Sequence, residues 1–555
     1  METIGGDLTT MPFQPLSAEH IDILRRIGTE RHFRQGETVV EAGELQDRLW
    51  FVEEGEIELV DPLTDKRKHE SSLGPNQFTG EIAFLSAGSF TLPLRAAKDT
   101  RAIEVRREPL LAAMSDTPEL SDHLLTVFAA RRRRQYEAGD SALVLIGADD
   151  DPKVREVAVF LARNRIPFEE HELGTKDADI AATECRIALG RPAVVFGRGE
   201  EIKDPTPLKV AQRIGLDLQL QCGDHVDLLI VGGGPAGVAA AVYAGAEGID
   251  ALVVEDVSIG GQAGTSSRIE NYMGFPTGIS GGDLIWRGQV QAMKFGTRFA
   301  MPRRVTRLRE KEDGRLCVTI DGETEICTRA ILVASGVQYR RLPIAGIDRL
   351  EGNGVYYAAT EMEARFCRET DVVIIGGGNS AGQAAMYLSR TSGHVHLLVR
   401  GGSLATTMSD YLRHRLEADE RITIHYNAHA VELLGEDKLE EIMVEQNGER
   451  RTVKSSALFV MVGAAPNVDW LSGLVELDDK GFVRTGRDVD GATAYATSHP
   501  RIWAVGDIRS GSVKRVASSV GEGSVVVSAI WDALDADRQA DQREAAKAEP
   551  AALEA

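Results

Sequence analysis

Short apolar runs that alternate with charged residues and turns occupy the N-terminal part of the chain. The segment RLWFVEEGEIELV, residues 48–60, predicts two strands joined by a bend at Glu54-Gly55. A helical spacing of apolar residues follows from Leu120 to Arg134. This pattern predicts a small β-barrel followed by helices over residues 12–138.

Residues 141–220 alternate strands with helices. LVLIGA predicts a buried strand, and Asp149 to Asp151 provide an N-cap for the helix KVREVAVFLARN. FEEHEL and PAVVFG predict two further strands. Because strands and helices follow one another in this order, we expect a small α/β domain.

Two later segments each open with a buried strand that runs into glycines. DLLIVGGG starts at Asp227 and DVVIIGGG at Asp371. After Ala465 the chain returns to the first of these folds, so the second is nested inside it. The predicted domains are residues 226–342 with 465–534, and residues 343–464. The Ala- and charge-rich residues 535–555 predict a flexible tail.

The composition of the chain limits which kinds of molecule we expect it to bind and where we expect it to be found. The 555 residues carry a formal net charge of -22, which argues against nucleic-acid backbones and anionic membranes. No apolar run reaches the roughly 18 residues of a membrane helix, and the N-terminus has no signal-peptide pattern, so we expect a cytoplasmic protein. The five cysteines form no Cys-x-x-Cys pair, which favours a reducing compartment over a disulfide framework. We expect no metal site.

The first glycine-rich strand end has the spacing of a dinucleotide-binding loop. Gly232, Gly234 and Gly237 form G-x-G-x-x-G between an apolar strand and a helix of small residues. The first glycine permits the tight turn, the second lets a pyrophosphate approach, and the third lets helix and strand pack. The next strand ends in Glu255, whose carboxylate can accept hydrogen bonds from ribose hydroxyls.

The second strand end repeats this arrangement with a different terminal charge. The loop residues there are Gly376, Gly378, Asn379, Ser380 and Ala381. The following strand ends in Arg400, which can pair with a 2′-phosphate and favours NADPH over NADH. The alternative is an exposed loop arginine. Two nested folds of this kind predict that one holds FAD and that the other delivers the nicotinamide.

Several motifs in the same order carry a resemblance to a known family. They are GGGPAG, GGQ at 260–262, ENYMGFP, ASG at 334–336, GGGNSA, VGAAPN and AVGD at 504–507. Over residues 226–534 the sequence resembles the low-molecular-weight bacterial thioredoxin reductases. The resemblance implies a homodimer with a rotating nicotinamide domain. It also implies that Glu255 binds the adenosine ribose and that FAD contacts Gly260, Gln262, Asn271, Gly506, Asp507, Arg515, Val516 and Ala517.

The sequence departs from that family at its redox-active disulfide. The two cysteine positions hold Ala358 and Glu361, and the following acid position holds Met362. Neither alanine nor glutamate can form a disulfide, and we expect the nearby Cys367 to be a structural thiol. We therefore expect the flavin to pass electrons to another acceptor. Glu361, as the candidate catalytic residue, would tune or protonate the reduced flavin.

The two N-terminal domains also resemble known folds without their reactive groups. The middle domain resembles a glutaredoxin or thioredoxin, with Arg191-Pro192 at the position of the cis-proline loop and no cysteines in ADDDPK, where the dithiol would fall. The first domain resembles a cyclic-nucleotide-binding domain, whose phosphate cassette would use Gly80, Glu81, Ala83 and a displaced Arg95. Either a cyclic nucleotide binds there, or the barrel serves for protein contact.

Three functions fit these patterns. The first is an NAD(P)H-dependent FAD oxidoreductase with an unidentified acceptor, for which a small redox protein is one candidate. The second is a ferredoxin- or flavodoxin-type reductase, which uses this scaffold without the cysteine pair. The third is a redox or nucleotide sensor, in which the barrel mediates regulation.

Overall fold

The computed structural model describes residues 10–553 except for short gaps. The gaps are residues 62–64, 69–71, 81–83, 86–87, 91, 139–140, 198–199, 215, 217, 219, 267, 340–341, 351–353, 358, 360, 366 and 436–437. For residues 136–138, 338–339, 348–349, 361–362, 464 and 541–553 the description covers the backbone only. Within the described part of the chain, no helix combines the length and the apolar character needed to span a membrane.

The N-terminal domain is a β-roll flanked by helices, as the sequence pattern predicts. Its two antiparallel sheets, β1-β6-β3 and β2-β5-β4, share one apolar cluster. Glycine is needed at the predicted bend, because Gly55 has φ +91° and a Cβ there would lie 2.4 Å from the Asp99 carbonyl oxygen. The elements are α1 (Ala18–Ile27), β1 (Thr29–Phe33), β2 (Thr38–Val40), β3 (Arg48–Glu54), β4 (Ile57–Leu59), β5 (Leu94–Ala96), β6 (Thr100–Arg106), α2 (Arg107–Asp116) and α3 (Pro118–Ala138).

The middle domain has the element order and sheet order of a thioredoxin-like fold. Its elements are β7 (Leu143–Ile146), α4 (Pro152–Arg163), β8 (Glu169–His171), α5 (Lys176–Glu184), β9 (Ala193–Phe196), β10 (Glu200–Glu201) and α6 (Pro207–Arg213). The sheet order is β10-β9-β7-β8, with β8 parallel and β9 antiparallel to β7. The predicted N-cap is confirmed, because the Asp151 side chain accepts hydrogen bonds from the Lys153 and Val154 amides.

Pro192 of the middle domain takes the position that the resemblance implies. A Cβ on Gly147, at the end of β7, would lie 3.3 Å from the Pro192 side chain. The proline loop therefore meets the loop that would carry a dithiol. The Arg191-Pro192 peptide is trans, in contrast to the family's cis-proline.

The first dinucleotide domain is built on a seven-stranded sheet of order β13-β12-β11-β16-β15-β14, with β27 beside β16. The strands around β11 are parallel, whereas β14, β15 and β16 form an antiparallel meander. The elements are β11 (His225–Val231), α7 (Pro235–Ala246), β12 (Ala251–Val254), α8 (Gly261–Gly264), α9 (Gly281–Lys294), β13 (Arg298–Ala300), β14 (Val305–Glu310), β15 (Leu316–Ile320), β16 (Thr324–Val333), β27 (Ile502–Ala504) and α14 (Val516–Leu553).

The second dinucleotide domain is inserted between β16 and β27, so the predicted nesting is observed. The antiparallel pair β17 (Val337–Tyr339) and β26 (Ala464–Pro466) joins the two domains. The parallel sheet has the order β18-β25-β19-β20-β21, and β22-β23-β24 form an antiparallel sheet. The elements are α10 (Ile347–Leu350), β18 (Val355–Tyr356), α11 (Glu361–Arg365), β19 (Val372–Ile375), α12 (Asn379–Leu388), β20 (Val395–Val399), α13 (Asp410–Ala418), β21 (Ile422–Tyr426), β22 (Ala428–Leu434), β23 (Glu441–Gln446), β24 (Glu449–Lys454) and β25 (Ala457–Val460).

The C-terminal segment corrects one prediction. Residues 535–553 continue helix α14 instead of starting a tail at 535. Asp537 accepts a hydrogen bond from Arg501, and Arg538 donates to Asp227 at 2.9 Å. The Ala-, Glu- and Arg-rich composition that suggested disorder also has high helix propensity, and these two contacts hold the start of the segment on the first dinucleotide domain.

Candidate functional site

The first glycine-rich loop connects β11 to α7. Gly232 has φ +109°, and a Cβ there would lie 2.3 Å from the Ala334 carbonyl oxygen. A Cβ on Gly237 would lie 1.9 Å from the Gly232 carbonyl oxygen. By contrast, a Cβ on Gly234 would meet no described atom within 4 Å. Two glycines are therefore required by packing, and Gly234 borders open space at the N-terminus of α7, where a pyrophosphate can approach.

Glu255 lies beside this loop at the end of β12. Its Oε2 accepts a hydrogen bond from the Gly233 amide at 2.7 Å, and its Oε1 accepts one from the Val257 amide at 3.1 Å. Burial raises the pKa of Glu255, and the neighbouring carboxyl of Asp256 raises it further. A buried carboxyl held against the glycine loop fits the ribose-binding position that the sequence predicts.

The GGQ motif packs onto the same loop. The Gly260 amide donates to the Gly233 carbonyl oxygen at 2.7 Å. The Gln262 side chain donates to the Val337 carbonyl oxygen at 2.7 Å, close to the ASG motif. Asn271 is exposed on the following loop. The structure therefore brings together Gly260 and Gln262 with the glycine loop, whereas Asn271 lies at the surface.

The AVGD motif and the start of α14 close the other side of this site. Val505 pairs with Val333 through its amide, and Asp507 follows Gly506 in a short helical turn. Burial raises the pKa of Asp507. Arg515 immediately precedes helix α14, which begins at Val516 and Ala517, as predicted.

A buried ion pair that the sequence analysis missed holds this motif. Glu522 accepts hydrogen bonds from the Gly506 amide at 2.6 Å and from Arg509 at 2.6 Å. The sequence contains one sign of this pair, because Glu522 is the single charged residue in the helix sequence SSVGEGSVVV. The pair fixes the backbone next to Asp507.

The second glycine-rich loop connects β19 to α12. A Cβ on Gly376 would lie 2.5 Å from the Met461 carbonyl oxygen, and Ala381 is fully buried where the first loop has its third glycine. Gly378 is the N-cap residue of α12 and has no side chain that could accept hydrogen bonds. Among the described residues, no N-cap side chain therefore occupies the first amides of this helix, and an anion can bind there. Asn379 and Ser380 are exposed at the helix start.

Candidate phosphate ligands lie beside the second loop. Arg400 follows β20 directly and is exposed. Ser409 Oγ and Arg413 Nε are buried and have no hydrogen-bond partner among the described residues. The Ser409 amide donates to the Asn379 side chain at 2.8 Å, which brings Ser409 to the loop. The sequence analysis missed Ser409, because a serine before a helix is an ordinary cap.

The former dithiol position is described only in part. Ala358 lies outside the described residues, and of Glu361 and Met362 only the backbone is described, at the start of α11. Cys367 is buried, its Sγ donates to the Glu363 carbonyl oxygen at 3.0 Å, and burial raises its pKa to about 12. A thiol that stays protonated is a poor nucleophile, which agrees with a structural role.

The described residues contain one disulfide, although the sparse cysteines favoured a reducing compartment over a disulfide framework. Cys317 on β15 lies directly opposite Cys327 on β16, with a Cα–Cα distance of 4.1 Å. Cys327 is near the start of β16, and the ASG motif follows the end of this strand, roughly 20 Å away at about 3.3 Å per residue. The bond therefore lies at the opposite end of the strand from the dinucleotide loop.

The barrel cassette is also described only in part, because Glu81 and Ala83 lie outside the described residues. Gly80 has φ +108°, and its carbonyl oxygen accepts a hydrogen bond from Arg131 at 2.9 Å. Arg95 lies between buried Leu94 and Ala96, and its guanidinium pairs with Glu58 at 2.7 Å. The predicted phosphate ligand is thus already neutralised by a carboxylate.

Comparisons with known proteins agree with this geometry. The family described as pyridine nucleotide-disulphide oxidoreductase matches residues 226–523, more than half of the chain, and the cyclic nucleotide-binding domain matches residues 30–117. The thioredoxin reductase of Mycolicibacterium smegmatis is 31% identical over 318 residues, which cover 56% of this chain and 96% of that protein. The thioredoxin reductase of Streptomyces clavuligerus is 30% identical over 335 residues, which cover 59% of this chain and 99% of that protein.

A solved structure is similar over the same region. Lactococcus lactis thioredoxin reductase in its FR conformation superposes with a TM-score of 0.51 at 27% identity, covering 56% of this chain and 99% of that one. Thioredoxin reductases of this family use FAD and NADPH, and the two glycine loops described above fit those groups. The chain therefore belongs to the pyridine nucleotide-disulphide oxidoreductase family, as a thioredoxin-reductase-like flavin oxidoreductase that also carries a cyclic nucleotide-binding domain.

Proposed function

We propose that this chain is an NAD(P)H-dependent FAD oxidoreductase that passes electrons to an acceptor without a dithiol of its own. One observation carries the proposal: both dinucleotide loops are intact, while the two dithiol positions hold Ala358 and Glu361. Cys367 is buried and protonated, and the Cys317–Cys327 bond is at the far end of β16, so neither supplies the missing pair.

The residues of the first loop would hold FAD. The open space at Gly234 and the N-terminus of α7 suit its pyrophosphate, and the buried Glu255 suits the adenosine ribose. Asp507 and the start of α14 would hold the ribityl chain and the pyrimidine edge. When bound, FAD supplies the hydride-accepting group, and the protein supplies position and electrostatics.

The residues of the second loop would hold the nicotinamide dinucleotide. The free amides at the start of α12 suit its pyrophosphate. Ser409 Oγ, which is buried and without a partner among the described residues, and the exposed Arg400 favour the additional phosphate of NADPH, whereas the Arg413 guanidinium already pairs with Asp410 and Glu417. NADPH is therefore the proposed donor, with NADH as the weaker one.

Glu361 is the proposed catalytic residue, since it occupies a former dithiol position. An acid there would hold a proton near the reduced flavin, and an anionic neighbour would raise its pKa. Substituting Glu361→Gln should change the pH dependence of reoxidation while leaving FAD content unchanged. An identical pH profile in the two proteins would remove this role.

The barrel is proposed to serve for protein contact and regulation without a cyclic nucleotide. The pairing of Arg95 with Glu58 supports this, because a buried phosphate without its cation is costly. Calorimetric titration with cyclic AMP and cyclic GMP should show no binding up to millimolar concentration. Binding of either nucleotide, abolished by Arg95→Ala, would contradict it.

The test of the main proposal is steady-state oxidation of NADPH by the FAD-loaded protein with a panel of acceptors. The panel should contain a quinone, a ferredoxin, a flavodoxin and oxidised thioredoxin. We expect turnover with at least one non-thiol acceptor and none with thioredoxin. Thioredoxin reduction by the wild-type chain would contradict the proposal, as would failure of NADPH and NADH with every acceptor. Light scattering on the same sample tests the homodimer that the family resemblance implies.

A further inference from the structure

The middle domain contacts the nicotinamide domain through a part-buried ion pair. Arg365, at the end of α11, donates two hydrogen bonds to the Glu170 carboxylate, at 2.9 and 2.7 Å. Glu170 lies on β8 of the middle domain. A bidentate arginine–carboxylate pair is one of the stronger and more geometrically specific polar contacts in proteins.

Two further contacts extend this interface. Arg365 also lies 3.7 Å from the carboxylate of Asp149, which follows β7. Arg163, at the end of α4, lies 3.6 Å from the carboxylate of buried Glu363. Burial raises the pKa of Asp149, and the charge of Arg365 opposes this shift.

Both contacting segments lie next to sequence positions where dithiols would be expected. Asp149 opens the loop that would carry Cys-x-x-Cys in a thioredoxin-like domain, next to Gly147 and Pro192. Helix α11 begins at Glu361, the second cysteine position of the reductase motif. Thiol–disulfide exchange requires two such motifs to meet. Here the Arg365–Glu170 pair joins the segments that carry the two motif positions, and neither motif position holds a cysteine.

The same domain is also fixed to its other neighbours. Arg165, just after α4, pairs with Asp283 of α9 at 2.5 Å, which joins the middle domain to the FAD domain. Glu169 pairs with Lys68 of the barrel at 3.0 Å. The middle domain therefore bridges both dinucleotide domains and contacts the barrel through a residue adjacent to Glu170.

We propose that the middle domain is a built-in, thiol-free partner that occupies the face of the reductase core around helix α11. A separate redox protein would need this face to approach helix α11, so protein disulfides are kept from it. The acceptor of the proposed function is then a small molecule. This last step rests on the proposed function, whereas the occupied face rests only on the contacts above.

The test is hydrogen exchange of the full-length, FAD-loaded chain with the substitution Arg365→Glu. The change places a carboxylate against Glu170 and Asp149, so peptides covering 149–155 and 361–367 should exchange on the order of tenfold faster. Adding Glu170→Arg to Arg365→Glu should restore most of the protection. Arg191→Glu is the matched control, because it breaks an arginine–glutamate pair inside the middle domain and should leave both peptides protected.

Unchanged exchange in Arg365→Glu, or no recovery in the double variant, would overturn the proposal. Thermal melts of all variants identify global unfolding; if Arg365→Glu unfolds, recovery of both melt and protection in the double variant supports the interface. Bleaching of the flavin by NADPH is recorded separately. Loss of bleaching in the wild type would refute the proposed function and leave the exchange result for the interface intact.

Discussion

The two glycine-rich loops follow the same path from strand to helix but differ in their surroundings. Around the first, Glu255, the GGQ motif and the Glu522–Arg509 pair enclose the loop from several sides. Around the second, Asn379, Ser380 and Arg400 are exposed. An enclosed loop suits a cofactor that stays bound, and an open loop suits one that exchanges at each turnover.

This difference also explains the different third residues of the loops. The first loop needs Gly237, because the Gly232 carbonyl oxygen lies so close to this position that no room is left for a methyl group. The second accommodates Ala381 at the equivalent place. Helices α7 and α14 of the first domain also pack closely, because a Cβ on Gly523 of α14 would lie 2.1 Å from the carbonyl oxygen of Ala236 in α7.

The largest expected effect comes from filling the first loop. Gly237→Val places carbon atoms inside the contact with Gly232, and we expect loss of bound FAD and of about 3 kcal/mol of stability. The matched control is Gly521→Ala in α14, whose methyl group meets no described protein atom within 4 Å. Visible absorbance after purification and thermal melts measure both effects. A Gly237→Val protein with full FAD and an unchanged melt would contradict the enclosed-loop account.

The next effect concerns the disulfide of the first dinucleotide domain. Removing the Cys317–Cys327 bond by Cys317→Ser should cost about 2–3 kcal/mol, because the bond closes a short loop in the unfolded chain. Denatured wild-type protein prepared without reductant should show three titratable thiols, Cys185, Cys222 and Cys367. Five thiols without reductant would show that the bond does not form.

A smaller effect is expected at the open loop. Arg400→Ala removes the exposed cation that directly follows β20, and it should raise KM for NADPH about tenfold, with less than a twofold change for NADH. Arg421→Ala, whose exposed side chain pairs with Asp419 in the same domain, is the control. Equal effects on both nucleotides would remove Arg400 from phosphate recognition.

The smallest effect is a pH dependence confined to the nicotinamide domain. Arg451 donates to His425 Nδ1 at 2.8 Å, and His425 Nε2 lies 3.1 Å from His396 Nδ1. Burial, with the charge of Arg451, lowers the pKa of His425 to about 4. A lowered histidine pKa means that the unfolded state binds protons first, so stability present above pH ~6.5 falls as the pH drops towards 4. Denaturant melts should show that the stability of His425→Phe depends less on pH than that of the wild type. An equal pH dependence in the two proteins would mean that other groups cause it.

Local patterns in the sequence identified the elements and both loops. Gly232, Gly237 and Glu255 could be predicted because strand, turn and helix are adjacent in the chain, and the packing contacts of the glycines follow from that geometry. Glu522, Ser409 and the Cys317–Cys327 bond were not predicted, because each depends on how neighbouring elements pack or on strand register, which the local pattern does not fix. Arg95 was assigned by spacing along the chain, but strand register pairs it with Glu58.

The interface between the middle domain and helix α11 was also beyond the sequence. Arg365 and Glu170 are ordinary charged residues in their own segments, and only the relative positions of the domains make them partners. Charge pairs across domain boundaries leave no periodic pattern in either segment. The absence of cysteines from both motifs, by contrast, is directly visible in the sequence.

The electron capacity of the FAD-loaded protein tests the central claim most directly. Anaerobic titration with NADPH, followed by the visible absorbance of the flavin, counts the two-electron groups that communicate. Because residues 358 and 361 carry no thiols, we predict complete bleaching at about one equivalent of NADPH per FAD. Cys317→Ser should give the same end point. An end point near two equivalents in the wild type that falls to one in Cys317→Ser, with new thiols appearing in the wild type, would reveal a communicating disulfide and contradict the account.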